Sequence, residues 1–164
     1  LPKDSSWEEW VLVKEEMGIP LALDESISTF KDAKEYIRRG VVDIINIKLA
    51  KSGIGEAVRI IKLAQEKGIK LMIGCMAESV VGLTTSVHLA AGTGVFSFVD
   101  LDSAYLLKPA KNLTGGYSQE GPKLKVPARV KGSGVSISWS RKKEKVSVSY
   151  WHNDRAPKFI ETCF

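Results

Sequence analysis

The stretch DIINIKL, residues 43–49, decides the fold of this chain. It is rich in β-branched residues and bounded by polar ones, so it predicts a buried strand. Shorter apolar runs of the same kind lie at residues 20–23, 70–75 and 96–99, and stretches with helical spacing of apolar residues separate them. The alternation predicts four strand–helix units with parallel strands, because each helix must return the chain to the same edge of the sheet.

Local patterns predict where the helices begin and end. Ser6 is followed three residues later by Glu9, and Thr29 by Asp32, which is the spacing of a capping box at a helix start. The first helix is predicted to end near Gly18. In the helix after residue 49, the residues at helical spacing that predict its buried face are Ile54, Val58, Ile61 and Ala64.

The number of units limits the architecture. A closed barrel and an open doubly wound sheet both satisfy the pattern, but no Gly-rich phosphate loop supports the open nucleotide-binding version. A complete eight-fold barrel typically needs about 250 residues, and this chain has 164. We therefore expect an α/β fold that amounts to half of a (β/α) barrel, with about four βα units.

Composition favours a soluble globular protein in the cytoplasm. The chain is 44% hydrophobic and 26% charged, and no stretch approaches the roughly 18 apolar residues that a membrane span needs. The first residues, LPKD, are not followed by the apolar segment of a signal peptide. Two cysteines, Cys75 and Cys163, are too few for a disulfide framework, so we expect reduced thiols. Because there is no apolar span, we expect no membrane partner.

The net charge of +5 is unevenly distributed. Residues 120–164 contain ten Lys and Arg against four Asp and Glu, a net charge of +6, which leaves −1 for the other 119 residues. A basic tail on a neutral body is weak support for polyanion binding, and no nucleic-acid-binding motif accompanies it. We therefore expect no nucleic-acid partner.

Two polar residues at predicted strand ends are candidates for chemistry. Asp24 follows the first strand, where a carboxylate suits Mg²⁺, although the residue alone is better explained as a helix N-cap or a loop carboxylate. Asn46 and Lys48 share one face of their strand, opposite the apolar set, and so face the interior of a barrel. There, desolvation and a nearby cation would lower the pKa of Lys48 towards that of a general base, whereas the alternative is a snorkelling lysine. Lys51, in the following loop, is predicted to be solvated.

The later strand ends carry further candidates. Asp100 and Asp102 alternate across Leu101 and project the same way, which suits a substrate ammonium group or the capping of a turn. Cys75 and Met76 close the third strand. From the residues alone, Cys75 is better explained as an inert core thiol than as a nucleophile.

The same residues carry a family resemblance. The segments LALDES (residues 21–26) and IINIKL (44–49) resemble the strand-five and strand-six motifs of the muconate-lactonizing branch of the enolase superfamily. Residues 72–79, MIGCMAES, look like strand seven of the dipeptide epimerases, and the Asp-x-Asp at residues 100–102 resembles the one that follows their strand eight. The resemblance runs from residue 1 to about residue 136 and implies the C-terminal half of the barrel.

The resemblance also implies roles for these residues. Asp24 would be the third of three Mg²⁺ carboxylates, and Lys48 one of two lysines on opposite faces of the substrate. The dipeptide would contact Cys75, Met76, Asp100 and Asp102, the two aspartates holding its free ammonium. The implied reaction is 1,1-proton transfer at the α-carbon through an enolate that Mg²⁺ stabilises. The other metal ligands and the second lysine precede this segment in the family, so the chain alone is expected to be inactive.

One departure from the family pattern lies at residues 52–54, SGI, where the family usually has two glycines. Residues 137–164 have no counterpart in the family and are expected to form a basic extension of unknown role, separate from a domain at 1–136. Alternating residues at 135–139 and 146–150 around the charged run 141–145 predict a β-hairpin there. Two alternatives remain open: a cycloisomerase or dehydratase of the same superfamily, and a non-catalytic half-barrel that assembles with itself, as a homo-oligomer, or with a partner chain.

Overall fold

The structure is a computed structural model that describes residues 1–2, 4–127 and 130–139, together with the backbone of strands at 146–149 and 159–162. Four strands lie parallel in one sheet, in their order along the chain. The predicted α/β fold with a parallel sheet is therefore confirmed. The elements of this part are α1 (Trp7–Met17), β1 (Ala22–Leu23), α2 (Phe30–Arg38), β2 (Ile44–Ile47), α3 (Leu49–Glu66), β3 (Lys70–Ile73), α4 (Val80–Thr93) and β4 (Phe98–Val99).

Both predicted capping boxes are present. The Glu9 backbone N–H donates to the Ser6 hydroxyl at 3.2 Å, and the Ser6 backbone N–H donates to the Glu9 carboxylate at 2.7 Å. Thr29 and Asp32 exchange the same two bonds at the start of α2. These bonds satisfy backbone donors that have no partner within the helix, so the local sequence fixes where α1 and α2 begin.

The main core lies between the sheet and helices α1 to α3. Ile45 and Ile47 of β2 are 0% and 2% exposed. The buried face of α3 consists of Ala57, Ile60, Ile61 and Ala64. Predicting Ile54 and Val58 on this face was wrong, since 56% and 36% of these residues are exposed. The apolar stripe of α3 is wider than the face that contacts the sheet, and two alanines form part of the contacting face.

The C-terminal part adds short antiparallel strands. A 3-10 helix (Ser103–Tyr105) precedes β5 (Leu113–Gly115), β6 (Ser118–Glu120), β7 (Lys123–Lys125), β8 (Val135–Ile137), β9 (Val146–Ser149) and β10 (Phe159–Thr162). β5 pairs with β8, β6 with β7, and β9 with β10. The predicted hairpin of residues 135–139 with 146–150 is therefore wrong: both segments contain strands, but each has another partner. Its charged turn at 141–145 lies outside the described residues.

The predicted boundary after residue 136 falls inside β8. Among the helices of the described residues, none is long and apolar enough to cross a membrane.

Candidate functional site

The candidate residues follow four neighbouring strands at the same edge of the sheet. Asp24 comes directly after β1, Lys48 directly after β2 and Asp100 directly after β4, while Cys75 is two residues beyond β3. Parallel strands carry their carboxyl ends at one edge, so the fold gathers residues that are distant in sequence. This edge is where α/β barrels place their active sites.

Asp24 and Lys48 form an ion pair at this edge. The Lys48 ammonium lies 2.8 Å from Asp24 Oδ2, and the Lys48 side chain is 14% exposed. Asn46 Nδ2 donates to the same carboxylate oxygen at 3.1 Å. Asn46 is buried and shares its side of β2 with Lys48, as the alternation of the strand predicts. Asn46 of β2 and Lys48 directly after it therefore hold the carboxylate at the end of β1.

A second lysine, Lys51, completes this group, and its predicted solvation is wrong. Its ammonium donates to Asp24 Oδ1 at 2.8 Å, and only 11% of its side chain is exposed. Lys51 lies in the first turn of α3, so its side chain reaches back over the ends of β1 and β2. The signal in the sequence was its position three residues after Lys48, one helical turn along a helix that begins at Leu49.

The charges in this group shift one another's pKa values. Burial alone would raise the pKa of the Asp24 carboxyl, but hydrogen bonds from Lys48 and Lys51 outweigh it and hold the pKa below its usual value. The hydrogen bond to Asp24 raises the pKa of the Lys48 ammonium. The expectation of a lowered pKa is therefore wrong for this arrangement, because the nearest charge to Lys48 is a carboxylate. Burial lowers the pKa of Lys51.

Cys75 and Asp102 form a neighbouring group. The Cys75 thiol donates to Asp102 Oδ1 at 3.8 Å. Leu101 is buried, whereas Asp100 and Asp102 on either side of it are exposed, in agreement with the predicted alternation. Cys75 also contributes to the raised pKa of Lys48, and both groups lie at the same edge of the sheet.

Met76 belongs to the same end of the sheet and is 42% exposed. Its backbone N–H donates to Glu78 Oε1 at 3.0 Å, which fixes the course of the chain after β3. Glu78 in turn donates its backbone N–H to the Ser103 hydroxyl at 3.4 Å. The loops after β3 and β4 are therefore tied together next to Met76 and Asp102.

A cavity of about 520 Å³ is lined by Glu78, two residues after Met76, and by Ala104, two residues after Asp102, and sequence reasoning missed it. Its polar lining includes Glu78 and Tyr117, and its apolar walls include Val80, Leu83 and Leu113. Cavities of this size hold small organic ligands in other proteins. The walls come from segments that are far apart in sequence, so no local pattern indicated it.

The side chains at this edge can supply Mg²⁺ with one protein ligand only. Mg²⁺ prefers six oxygen ligands in octahedral geometry. Asp24 is the carboxylate of the first group, and within the described ranges no three His, Cys, Asp or Glu side chains lie together as a metal site. Residues outside the described ranges would have to supply the other protein ligands.

Comparison with known proteins identifies relatives of this chain. The family model described as "Enolase C-terminal domain-like" matches residues 1–142. The L-Ala-D/L-Glu epimerase of Thermotoga maritima is 48% identical over 107 residues, which are 65% of this chain and 31% of that protein. The aromatic dipeptide epimerase of Herpetosiphon aurantiacus is 38% identical over 138 residues, which are 84% of this chain and 38% of that protein.

Solved structures give the same result. A dipeptide epimerase from Enterococcus faecalis, complexed with Mg and the dipeptide L-Leu-L-Tyr, superposes with a TM-score of 0.74 at 37% identity. The match covers 83% of this chain and 38% of that structure. The chain thus spans about a third of the length of the relatives it matches.

Proposed function

Because the chain belongs to the enolase C-terminal domain-like family, we propose that it is part of a Mg²⁺-dependent dipeptide epimerase. In this proposal it forms the C-terminal half of a (β/α) barrel, and the complete enzyme inverts an α-carbon of a dipeptide by 1,1-proton transfer. The contact between Lys48 and Asp24 at the ends of β1 and β2 carries the proposal. Epimerases among the relatives support it.

Lys48 transfers the proton on one face of the α-carbon. A lysine suits this role because it accepts a proton when neutral and returns one when charged. Lys48 is paired with Asp24 at the carboxyl end of β2, and its side chain is mostly buried. Both features restrict the directions in which its ammonium can point. Inversion requires removal on one face and delivery on the other, so a second base must lie opposite Lys48, in the part of the enzyme outside this chain.

Asp24 contributes one carboxylate ligand to Mg²⁺, which when bound stabilises negative charge that develops on substrate oxygens. Because the pKa of Asp24 is lowered, the carboxylate is ionised at neutral pH, as a metal ligand must be.

Asp100 and Asp102 bind the free ammonium of the dipeptide. Both are exposed at the end of β4, and Cys75 contacts Asp102. Cys75 and Met76 contact the adjoining part of the substrate, and the cavity that Glu78 and Tyr117 line offers room for a side chain. A cycloisomerase or dehydratase of the same superfamily would share Asp24 and Lys48 but would bind no substrate ammonium, so the aspartate pair favours the epimerase.

A chimera tests the proposal. Residues of this chain replace the aligned 138-residue segment of the Herpetosiphon aurantiacus enzyme, and chiral chromatography follows the epimerisation of L-Leu-L-Tyr with Mg²⁺. We expect turnover that Lys48→Met reduces by about 100-fold or more. Lys62→Met, on the exposed side of α3, is the matched control and should retain full activity. A folded chimera that does not epimerise the dipeptide, or one that is indifferent to Lys48→Met, would contradict the proposal.

A further inference from the structure

The proton donors of Lys51 are all engaged at the ends of two strands. Its ammonium lies 2.8 Å from Asp24 Oδ1, 2.5 Å from the Asp24 backbone carbonyl oxygen and 3.3 Å from the Asn46 backbone carbonyl oxygen. A lysine ammonium has three N–H donors and no acceptor. Lys51 therefore joins the end of β1 to the end of β2 and has no donor left for a substrate.

The backbone around Lys51 places its side chain for this role. The Lys51 backbone N–H donates to the Lys48 carbonyl at 2.9 Å, which closes the first turn of α3 directly behind β2. Gly53, two residues later, has φ 68° and ψ 172°, so the helix breaks there and starts again. The first turn is thereby set apart from the long part of α3. A positive φ favours glycine, which explains why this break occurs at Gly53.

The carboxylate of Asp24 is consequently held on both oxygens. Lys51 takes Oδ1, while Asn46 and Lys48 share Oδ2. The Asn46 side chain lies against the backbone of Gly74 at the end of β3, where an added Cβ would be 2.7 Å from Asn46 Oδ1. If Oδ1 lost its bond to Lys51, the carboxylate would keep only its contacts at Oδ2 and could swing about its Cβ–Cγ bond, which would make the contact with Lys48 mobile and weaker.

We propose that Lys51 is a positioning residue: its ammonium fixes the orientation of the Asp24 carboxylate, and thereby the position of the Lys48 ammonium. Lys51 acts through Asp24 and does not itself reach the substrate. The inference rests on the proposed function only in taking Lys48 and Asp24 as the reacting lysine and the metal ligand. The hydrogen bonds of Lys51 to Asp24 and Asn46 are present in this chain whatever its function.

The test measures hydrogen-bond geometry in the chain itself. Scalar couplings across hydrogen bonds, recorded by NMR on ¹⁵N- and ¹³C-labelled protein, report the pairing of Lys48 Nζ with Asp24 Cγ. Lys51→Met retains the length of the side chain and removes its donors. We expect this variant to lose the Lys48–Asp24 coupling while the amide spectrum of the core is retained. The matched control, Lys62→Met, should keep the coupling because Lys62 is exposed on α3.

A folded Lys51→Met protein with an unchanged Lys48–Asp24 coupling would overturn the proposal, even if the variant were less stable. Should this variant fail to fold, the unsubstituted chain decides: a coupling between Lys51 Nζ and Asp24 Cγ supports the proposal, and its absence overturns it. These couplings do not depend on turnover. An inactive chimera with intact couplings would therefore refute the proposed function and leave the positioning role of Lys51 in place.

Discussion

Substituting Gly74 by alanine should destabilise the chain from within the site. The new Cβ would lie 2.7 Å from Asn46 Oδ1, 2.9 Å from Asn46 Nδ2 and 3.2 Å from Asn46 Cγ. These distances are too short, so the Asn46 side chain must move. It then loses its 3.1 Å bond to Asp24. Inserting a methyl group into a packed site costs about 1–3 kcal/mol, and a hydrogen bond to a charged group contributes about 1.5–3 kcal/mol.

We therefore expect Gly74→Ala to lower the free energy of unfolding by about 2.5–6 kcal/mol, the sum of these two costs. The assay is urea denaturation followed by tryptophan fluorescence. With a slope of about 2 kcal/mol per molar urea, the midpoint should fall by about 1 M or more.

Gly55 provides the matched control for this prediction. It lies inside α3, and a Cβ added there would meet no atom within 4 Å. Gly55→Ala should therefore raise the free energy of unfolding by about 0.4–1 kcal/mol, because alanine reduces the freedom of the unfolded chain. In the Gly74→Ala protein, Asn46→Ala should lower the free energy of unfolding by less than it does in the unsubstituted chain. The reason is that Asn46→Ala also removes the side chain that clashes with the new Cβ. A Gly74→Ala protein within about 0.5 kcal/mol of the unsubstituted chain would refute the reasoning.

Three further predictions concern the helices and an ion pair away from the site. Ser6→Ala removes the hydroxyl of the α1 capping box and should cost about 0.5–2 kcal/mol in thermal or urea unfolding; no loss would contradict the capping role. Ile60→Ala should cost about 2–5 kcal/mol, whereas Ile54→Ala should stay within about 0.5 kcal/mol, since Ile60 is 1% and Ile54 is 56% exposed; equal losses would contradict the assigned face of α3. Burial would raise the pKa of Asp43, but hydrogen bonds from Lys14 and the Leu21 backbone outweigh it and lower the pKa. The stabilisation is therefore fully present above the unfolded pKa of about 3.9 and is lost as pH falls through the lower folded value. Free energies of unfolding measured between about pH 2 and 6 should show the cost of Asp43→Asn shrinking towards low pH, and a constant cost would contradict the assignment.

Local patterns predicted those parts of the fold that local physics determines. The capping boxes of α1 and α2 involve residues three apart, so their geometry follows once the helix begins. The meeting of Asp24 and Lys48 was also predictable, because parallel strands bring their carboxyl ends to one edge. The inward side of Asn46 followed from the two-residue period of β2.

Other features depend on contacts that no local pattern contains. Lys51 is buried because α3 starts immediately after Lys48 and breaks at Gly53, and the sequence window around Lys51 resembles an ordinary polar loop. The strand at residues 135–137 was recognised by its alternation, but alternation does not identify a partner, and β5 lies about twenty residues before it. The lowered pKa expected for Lys48 assumed a cation as its neighbour, whereas the fold supplies the Asp24 carboxylate.

The proposal that Lys48 transfers the proton on one face is tested most directly by exchange of the α-hydrogen. In D₂O, the chimera should exchange the α-hydrogen of the inverted residue for deuterium in both epimers of the dipeptide. Mass spectrometry and NMR would detect this exchange. In the Lys48→Ala chimera, the rate of α-hydrogen exchange from one epimer should fall by about 100-fold or more. Exchange from the other epimer should persist, because it depends on the base on the opposite face. An equal loss of exchange from the two epimers in the Lys48→Ala chimera would contradict the assignment of Lys48 to a single face.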